Sequence, residues 1–170
     1  FLAASAGDML QHLGAPCITP GAKGHQMAEQ RVGIIMNGVT GRMGTNQHLV
    51  RSIVAIRDQG GVRIPGGGSL VPDPILLGRN GKKLEALARA HGIARWSTDL
   101  TACLANPDDT IYFDAQTTSR RAASLRAAME AGKHVYAEKP VATSLTEALK
   151  LVDIAGRAGV KNGVVQDKLF

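Results

Sequence analysis

The stretch Arg31–Gly44, RVGIIMNGVTGRMG, limits what this chain can fold into more than any other segment. An apolar run from Val32 to Met36 reads as a buried strand. Glycines at 38, 41 and 44 follow, and amphipathic sequence comes after them, so the strand is expected to pass through a tight turn into a helix. A helix start exposes unpaired backbone N–H groups and the positive end of its dipole, which suits a phosphate. The first glycine would permit the turn, the second would let backbone approach a pyrophosphate, and the third would let helix and strand pack closely. Gly38, Thr40, Gly41, Arg42, Met43 and Gly44 are therefore candidate nucleotide contacts. The spacing is GxxGxxG, which an ordinary strand-to-helix turn can also show.

A chain of 170 residues suits one domain with a proper core. Aromatic residues make up only 4%, so that core must be built from Val, Ile, Leu and Ala. The formal charge of +6 favours anionic ligands. The basic residues are scattered, without aromatic interleaving or a reader motif, which argues against nucleic acid as partner. Cys17 and Cys103 match neither a zinc site nor a disulfide scaffold, so no metal is expected, and a reducing, cytoplasmic setting is. No apolar run reaches membrane-spanning length, and the opening FLAASAGDML lacks the basic start of a signal peptide.

In chain order, residues 1–30 read as a partly irregular extension with a short helix near 5–13. A strand over 32–36 leads to a helix over 42–57 with Leu49, Val50, Ile53 and Val54 inward. The Gly- and Pro-rich segment 58–73 reads as a long excursion before a strand at 74–77. A helix over 80–91 carries Leu84, Leu87, Ala88 and His91 on one stripe, with His91 as a cap at its end. A strand at 93–96 and a short helix at 98–105 follow. The pattern then repeats: strand 110–115, helix 119–131, strand 134–137, helix 144–158 and strand 163–166. Ser144 and Glu147 form a capping box on the last helix, whose inward face is expected to hold Leu145, Ala148, Leu149, Val152 and Ala155. Such alternation predicts an α/β fold, a doubly wound parallel sheet of Rossmann-like, three-layer αβα type, with its ligand at the strands' C-terminal ends.

Three strand ends carry the polar chemistry. After Leu77, where a carboxylate normally meets the ribose of NAD, the chain has Gly78, Arg79 and Asn80. The Arg79 guanidinium suits a 2′-phosphate, which points to NADP, with NAD possible, and Arg42 could support the same group. Surface arginines at a helix start are the other reading. After Asp114 come Gln116 and Thr117, able to flank a nicotinamide ribose, while Thr118 or Ser119 could cap a helix. After Ala137 come Glu138, Lys139 and Pro140, an orienting carboxylate and a lysine suited to proton transfer beside the crevice.

With these elements placed, the sequence resembles the glucose–fructose oxidoreductase / inositol dehydrogenase (Gfo/Idh/MocA) family of NAD(P)-dependent oxidoreductases over residues 31–166. The carrying features are the three glycines, AGKHV at 131–135 and EKP at 138–140. The resemblance implies that Lys139 is catalytic and contacts the reacting hydroxyl of a sugar or polyol, and that Glu138 and Pro140 lie near the cofactor. It places Arg121 and Gln166 on the substrate side and implies a homo-oligomer. It also implies a second domain after residues 167–170 that supplies most sugar contacts and is absent from this chain, so the chain alone is expected to be inactive. The sequence departs from the family at the glycine spacing, at Gln116–Thr117 where Thr-Pro is usual, and at Arg121 where histidine is frequent. NGVTGRMG looks like the turn of dihydrodipicolinate reductases, which keeps reduction of a small dicarboxylate as an alternative. A non-catalytic nucleotide-binding module is the other.

Overall fold

The computed structural model describes residues 29–65 and 67–165. The expected helix near 5–13, Gln166 and the connection at 167–170 lie outside the described residues. Strand β1 (Glu29–Asn37) occupies the centre of the sheet. It pairs in parallel with β3 (Ser69–Leu77) on one side and with β5 (Asp109–Asp114) on the other. Strands β6 (His134–Ala137) and β7 (Asn162–Val164) continue beyond β5. On the far side of β3, β2 (Val62–Arg63) pairs antiparallel with its start and β4 (Arg95–Ser97) parallel with its end. The parallel strands alone run β4-β3-β1-β5-β6-β7, the doubly wound order, whose direction reverses between β1 and β5.

Strand β3 begins five residues before the expected 74–77, so much of the 58–73 excursion is an ordered hairpin. Pro72 and Pro74 hide this in the sequence, because a missing N–H argues against a paired strand. Here β1 pairs with β3 throughout, while the outer partners hold only 69–70 and 75–77. Both prolines fall in the gap, on one side of the strand by its two-residue alternation.

Helix α1 begins as a π-helix, Gly44–Val54, and finishes as an α-helix, Ala55–Asp58. Then come α2 (Gly81–Ala90), α3 (Leu100–Ala105), α4 (Thr118–Glu130) and α5 (Leu145–Ala158). Helices α1 and α2 cover one face, packing Leu49, Leu84 and Ala88 on Ile34, Met36, Leu76 and Phe113. Helices α3, α4 and α5 cover the other, packing Cys103, Leu125, Met129 and Leu151 on Ile35, Tyr112 and Val135. Ser144 caps α5 and its hydroxyl accepts from the Glu147 N–H at 3.2 Å, as the sequence implies.

The inward face of α5 differs from expectation. Leu145, Leu149 and Val152 are 75%, 58% and 67% exposed, whereas Leu151 and Ala155 are buried and Ala148 half-buried. Two apolar stripes run along this helix, and periodicity cannot choose between them. The stripe with alanines lets α5 lie close against α4, and tertiary packing selects it.

Candidate functional site

The C-terminal ends of β1, β3, β5 and β6 converge at the reversal point, joined by short backbone bonds. Gly38 N–H donates to Leu77 O at 3.1 Å, Ala115 N–H to Asn37 O at 2.8 Å, and Glu138 N–H to Asp114 O at 2.9 Å. The glycine turn, the 115–117 loop and the EKP segment are thereby fastened to one sheet edge.

The three glycines of the turn have different reasons to be there. Gly38 has φ +81, and a Cβ on it would lie 2.6 Å from the Gln116 nitrogen and 2.7 Å from the Ala115 carbonyl carbon. A Cβ on Gly44 would lie 2.8 Å from both Gly38 O and Val39 Cα. The fold itself therefore demands these two. At Gly41 a Cβ would meet only Gly38 O, at 3.6 Å, an ordinary contact. Protein packing does not require that glycine, which leaves exposed backbone at a helix start open to close approach by an anion. Val39 is fully buried, and Thr45 Oγ1 donates to its carbonyl at 2.6 Å, so the turn is anchored beneath its exposed rim of Thr40, Gly41, Arg42 and Met43.

Arg79 is exposed at the end of β3, and Asn80 caps α2 by accepting from the Lys83 N–H at 3.0 Å. Arg79 thus takes no part in the helix cap. His91 is the residue at the C-terminal cap of α2, as expected.

Below the 115–117 loop lies a buried hydrogen-bonded cluster that the sequence did not reveal. Asp114, fully buried, accepts from the Gln116 N–H at 3.0 Å, from Gln116 Nε2 at 2.8 Å, from Tyr112 OH at 3.0 Å and from Arg121 Nε at 3.1 Å. Asn37 Nδ2 donates to the Tyr112 hydroxyl at 2.8 Å. Burial and the Asp114 charge hold the Tyr112 phenol far above its ordinary pKa, so it stays a neutral donor. Arg121 is 2% exposed, and its other nitrogens donate to Gln116 O at 2.5 Å and to Pro140 O. The guanidinium thus spans the loops after β5 and β6 from beneath. Gln116 likewise turns inward, whereas Thr117, at the α4 cap position, is exposed and its side chain makes no cap bond.

At the end of β6 the two charged residues of EKP part company. Lys139 is exposed. Glu138 is 8% exposed, and Lys139 is joined to Pro140 by a cis peptide bond. Glu138 Oε2 accepts from the Lys139 N–H at 3.1 Å, while Oε1 lies 2.5 Å from Nε2 of His48. His48 comes from α1, four residues past Gly44, and its ring lies 4.6 Å from that of Phe113. Sequence reasoning missed His48. Its only signal was a histidine beside the buried Leu49 on the helix that follows the glycine turn. Among the described residues no cluster of His, Cys, Asp and Glu could hold a metal, and no helix is long and apolar enough to cross a membrane.

A doubly wound sheet with a glycine turn at its reversal point defines a dinucleotide-binding domain. Comparison with known proteins gives the family. A family model described as "Oxidoreductase family, NAD-binding Rossmann fold" matches residues 72–166. D-xylose dehydrogenase of Paenarthrobacter nicotinovorans is 52% identical over 139 residues, 82% of this chain and 36% of that protein. Among solved structures, an oxidoreductase domain protein from Kribbella flavida is 27% identical with TM-score 0.67, covering 79% of this chain and 35% of that one. A levoglucosan dehydrogenase in complex with NADH and levoglucosan has TM-score 0.64 at 24% identity, over 81% and 35% of the two chains, and so shares the fold. The chain belongs to the Gfo/Idh/MocA oxidoreductase family. It spans about a third of the length of the curated relatives it matches.

Proposed function

We propose that the complete protein moves a hydride between a nicotinamide cofactor and a secondary alcohol or ketone carbon of a sugar or cyclitol. The observation that carries this reading is the divergence within EKP: Glu138 is tied inward to His48 on the helix of the glycine turn, while Lys139 stands exposed at the end of β6, one strand beyond the reversal point. The 52% identical relative is named for a sugar dehydrogenase, which supports the substrate class. A second domain beyond residue 170 would cover the sugar, in keeping with the share of the relatives' length spanned here.

The residues fit a dinucleotide, since Gly41 leaves space that no protein atom needs. Gly38, Thr40, Gly41, Arg42, Met43 and Gly44 would hold its pyrophosphate, and Thr117 with the Gln116 backbone would flank the nicotinamide ribose. When bound, the cofactor supplies the hydride acceptor or donor. Lys139 would orient the substrate hydroxyl and help move its proton as the carbonyl forms. Pro140 closes the segment beside it, and Arg121 supports both loops from below. Gln166 would meet the substrate side. Arg79 gives a preference for NADP over NAD.

The test is hydride transfer by the full-length protein, from aldoses and polyols to NADP+ or NAD+ and from NADPH or NADH to ketoses and small dicarboxylates. Turnover of sugars that is abolished in Lys139→Ala supports the reading. Unchanged turnover in that variant removes Lys139 from the mechanism. Tight NADPH binding without transfer to any substrate would favour a non-catalytic module.

A further inference from the structure

A buried carboxylate is costly unless hydrogen bonds satisfy it, and Glu138 has its oxygens on two partners that pull in different directions. Oε2 takes the N–H of its own neighbour, Lys139, at 3.1 Å. That bond fixes the orientation of the 138–139 peptide, and with it the direction in which the Lys139 side chain leaves the backbone. Oε1 faces Nε2 of His48 at 2.5 Å. A carboxylate only accepts, so Nε2 carries the hydrogen. The His48 and Glu138 side chains are 15% and 11% exposed, which leaves little water to replace either. The imidazole is also packed on Phe113 of β5, with ring centroids 4.6 Å apart, which favours this position.

We propose that His48 is a positioning residue for Lys139, acting through Glu138, and so couples the helix of the glycine turn to the lysine. The proposal rests on the oxidoreductase reading for its kinetic consequence but not for its structural one. With His48 removed, Glu138 keeps one partner and its carboxylate is free to rotate toward solvent. The Lys139 N–H then loses its acceptor, and the exposed lysine samples directions unrelated to the substrate. Misplacement of a catalytic group by about 1 Å can lower turnover on the order of 100-fold. The packing of α1 does not depend on this bond, since Leu49 fills the core beside it.

The experiment compares His48→Leu and His48→Gln with the wild type in the full-length protein. Gln keeps an N–H donor at similar reach, whereas Leu keeps bulk alone. Backbone amide exchange at Lys139, followed by NMR, is read alongside kcat, KM and the dissociation constant for NADPH. We expect exchange at Lys139 to quicken at least about 10-fold in His48→Leu. We also expect kcat to fall on the order of 10- to 100-fold, with KM and NADPH affinity within about 3-fold of wild type, and His48→Gln to recover most of both losses. A folded His48→Leu protein with unchanged exchange at Lys139 overturns the proposal, whatever its turnover. Faster exchange with unchanged kcat overturns it too. Should the wild type transfer no hydride to any substrate, the proposed function fails, and exchange at Lys139 still decides whether His48 holds that peptide.

Discussion

Strand β5 begins and ends on a fully buried aspartate held by arginine, and the two ends use the same chemistry for different work. At its start, Asp109 takes Arg95 in a two-pronged pair at 2.7 and 3.0 Å, with Asn106 Nδ2 added at 2.9 Å. Arg95 also reaches Asp73 at 3.2 Å, so the cluster ties β3, β4 and β5 together. Burial would lower the Arg95 pKa, but the Asp109 hydrogen bonds and the charges of Asp109 and Asp73 raise it on balance. At the other end, Asp114 and Arg121 tie no strand to a strand. They hold the backbone of Gln116 and Pro140, in the two loops that flank the crevice. The lesson is that a buried ion pair reveals its role by what its spare hydrogen bonds reach: strands at one end, loops at the other.

Substitution at the two arginines is the strongest way to break this comparison. Arg121→Met strands the Asp114 charge in the core and is expected to cost about 3–5 kcal/mol of stability. Arg95→Met, whose side chain is 28% exposed, should cost less, roughly 2–4 kcal/mol. Denaturant unfolding measures both. Only the Arg121 variant, assayed where it remains folded, should also lose nicotinamide nucleotide affinity. Equal loss in the Arg95 variant would erase the distinction between the ends.

The glycine turn sharpens the same division between holding a fold and holding a ligand. Gly38→Ala forces a Cβ into the Gln116 and Ala115 backbone at positive φ, for an expected loss of about 2–4 kcal/mol. Gly41→Ala should change stability by no more than about 0.5 kcal/mol, yet weaken nucleotide binding, because its Cβ enters space that only a ligand would use. Calorimetric titration with NADPH beside thermal unfolding separates the two. Arg79→Ala belongs with Gly41. It should leave stability unchanged and weaken NADPH about 10-fold relative to NADH, near the strength of one charge-assisted contact.

The smallest effect lies away from the crevice. The Thr143 N–H and hydroxyl, at 2.9 and 3.0 Å, hold the Glu147 carboxyl below its ordinary pKa. A depressed carboxyl pKa adds stability above its unfolded value and loses it as pH falls through the folded value. Glu147→Gln should therefore be slightly less stable than wild type near neutrality, and the two unfolding curves should converge in acid. A gap that persists at low pH would assign the difference to packing.

Much of the frame was legible in the sequence because it depends on neighbours along the chain. The GxxGxxG turn, the Ser144 cap on the Glu147 N–H, and EKP at the end of a strand are local patterns with local causes, although the Glu147 carboxylate reaches Thr143 rather than the Ser144 N–H that a full capping box would use. The prolines of β3 misled because their tolerance depends on which strands lie on the outer edge. The inward stripe of α5 was read correctly at Ala148 and Ala155 but wrongly at Leu145, Leu149 and Val152, and missed Leu151, because choosing between the two stripes requires α4. Arg121 was legible as a polar residue near the loops, but its burial against Asp114 and Pro140 was not.

What the sequence by itself determined was the order of elements apart from β2, the turn and the candidate lysine, since strand, helix and turn preferences act over a few residues. Only the tertiary structure decided which glycines the fold demands, Gly38 and Gly44, and which it does not, Gly41. It alone paired His48 with Glu138, 90 positions apart, and turned Glu138 inward while leaving Lys139 out. Such pairings arise where parallel strands bring distant loops to one edge, and no local pattern records which side chains meet there.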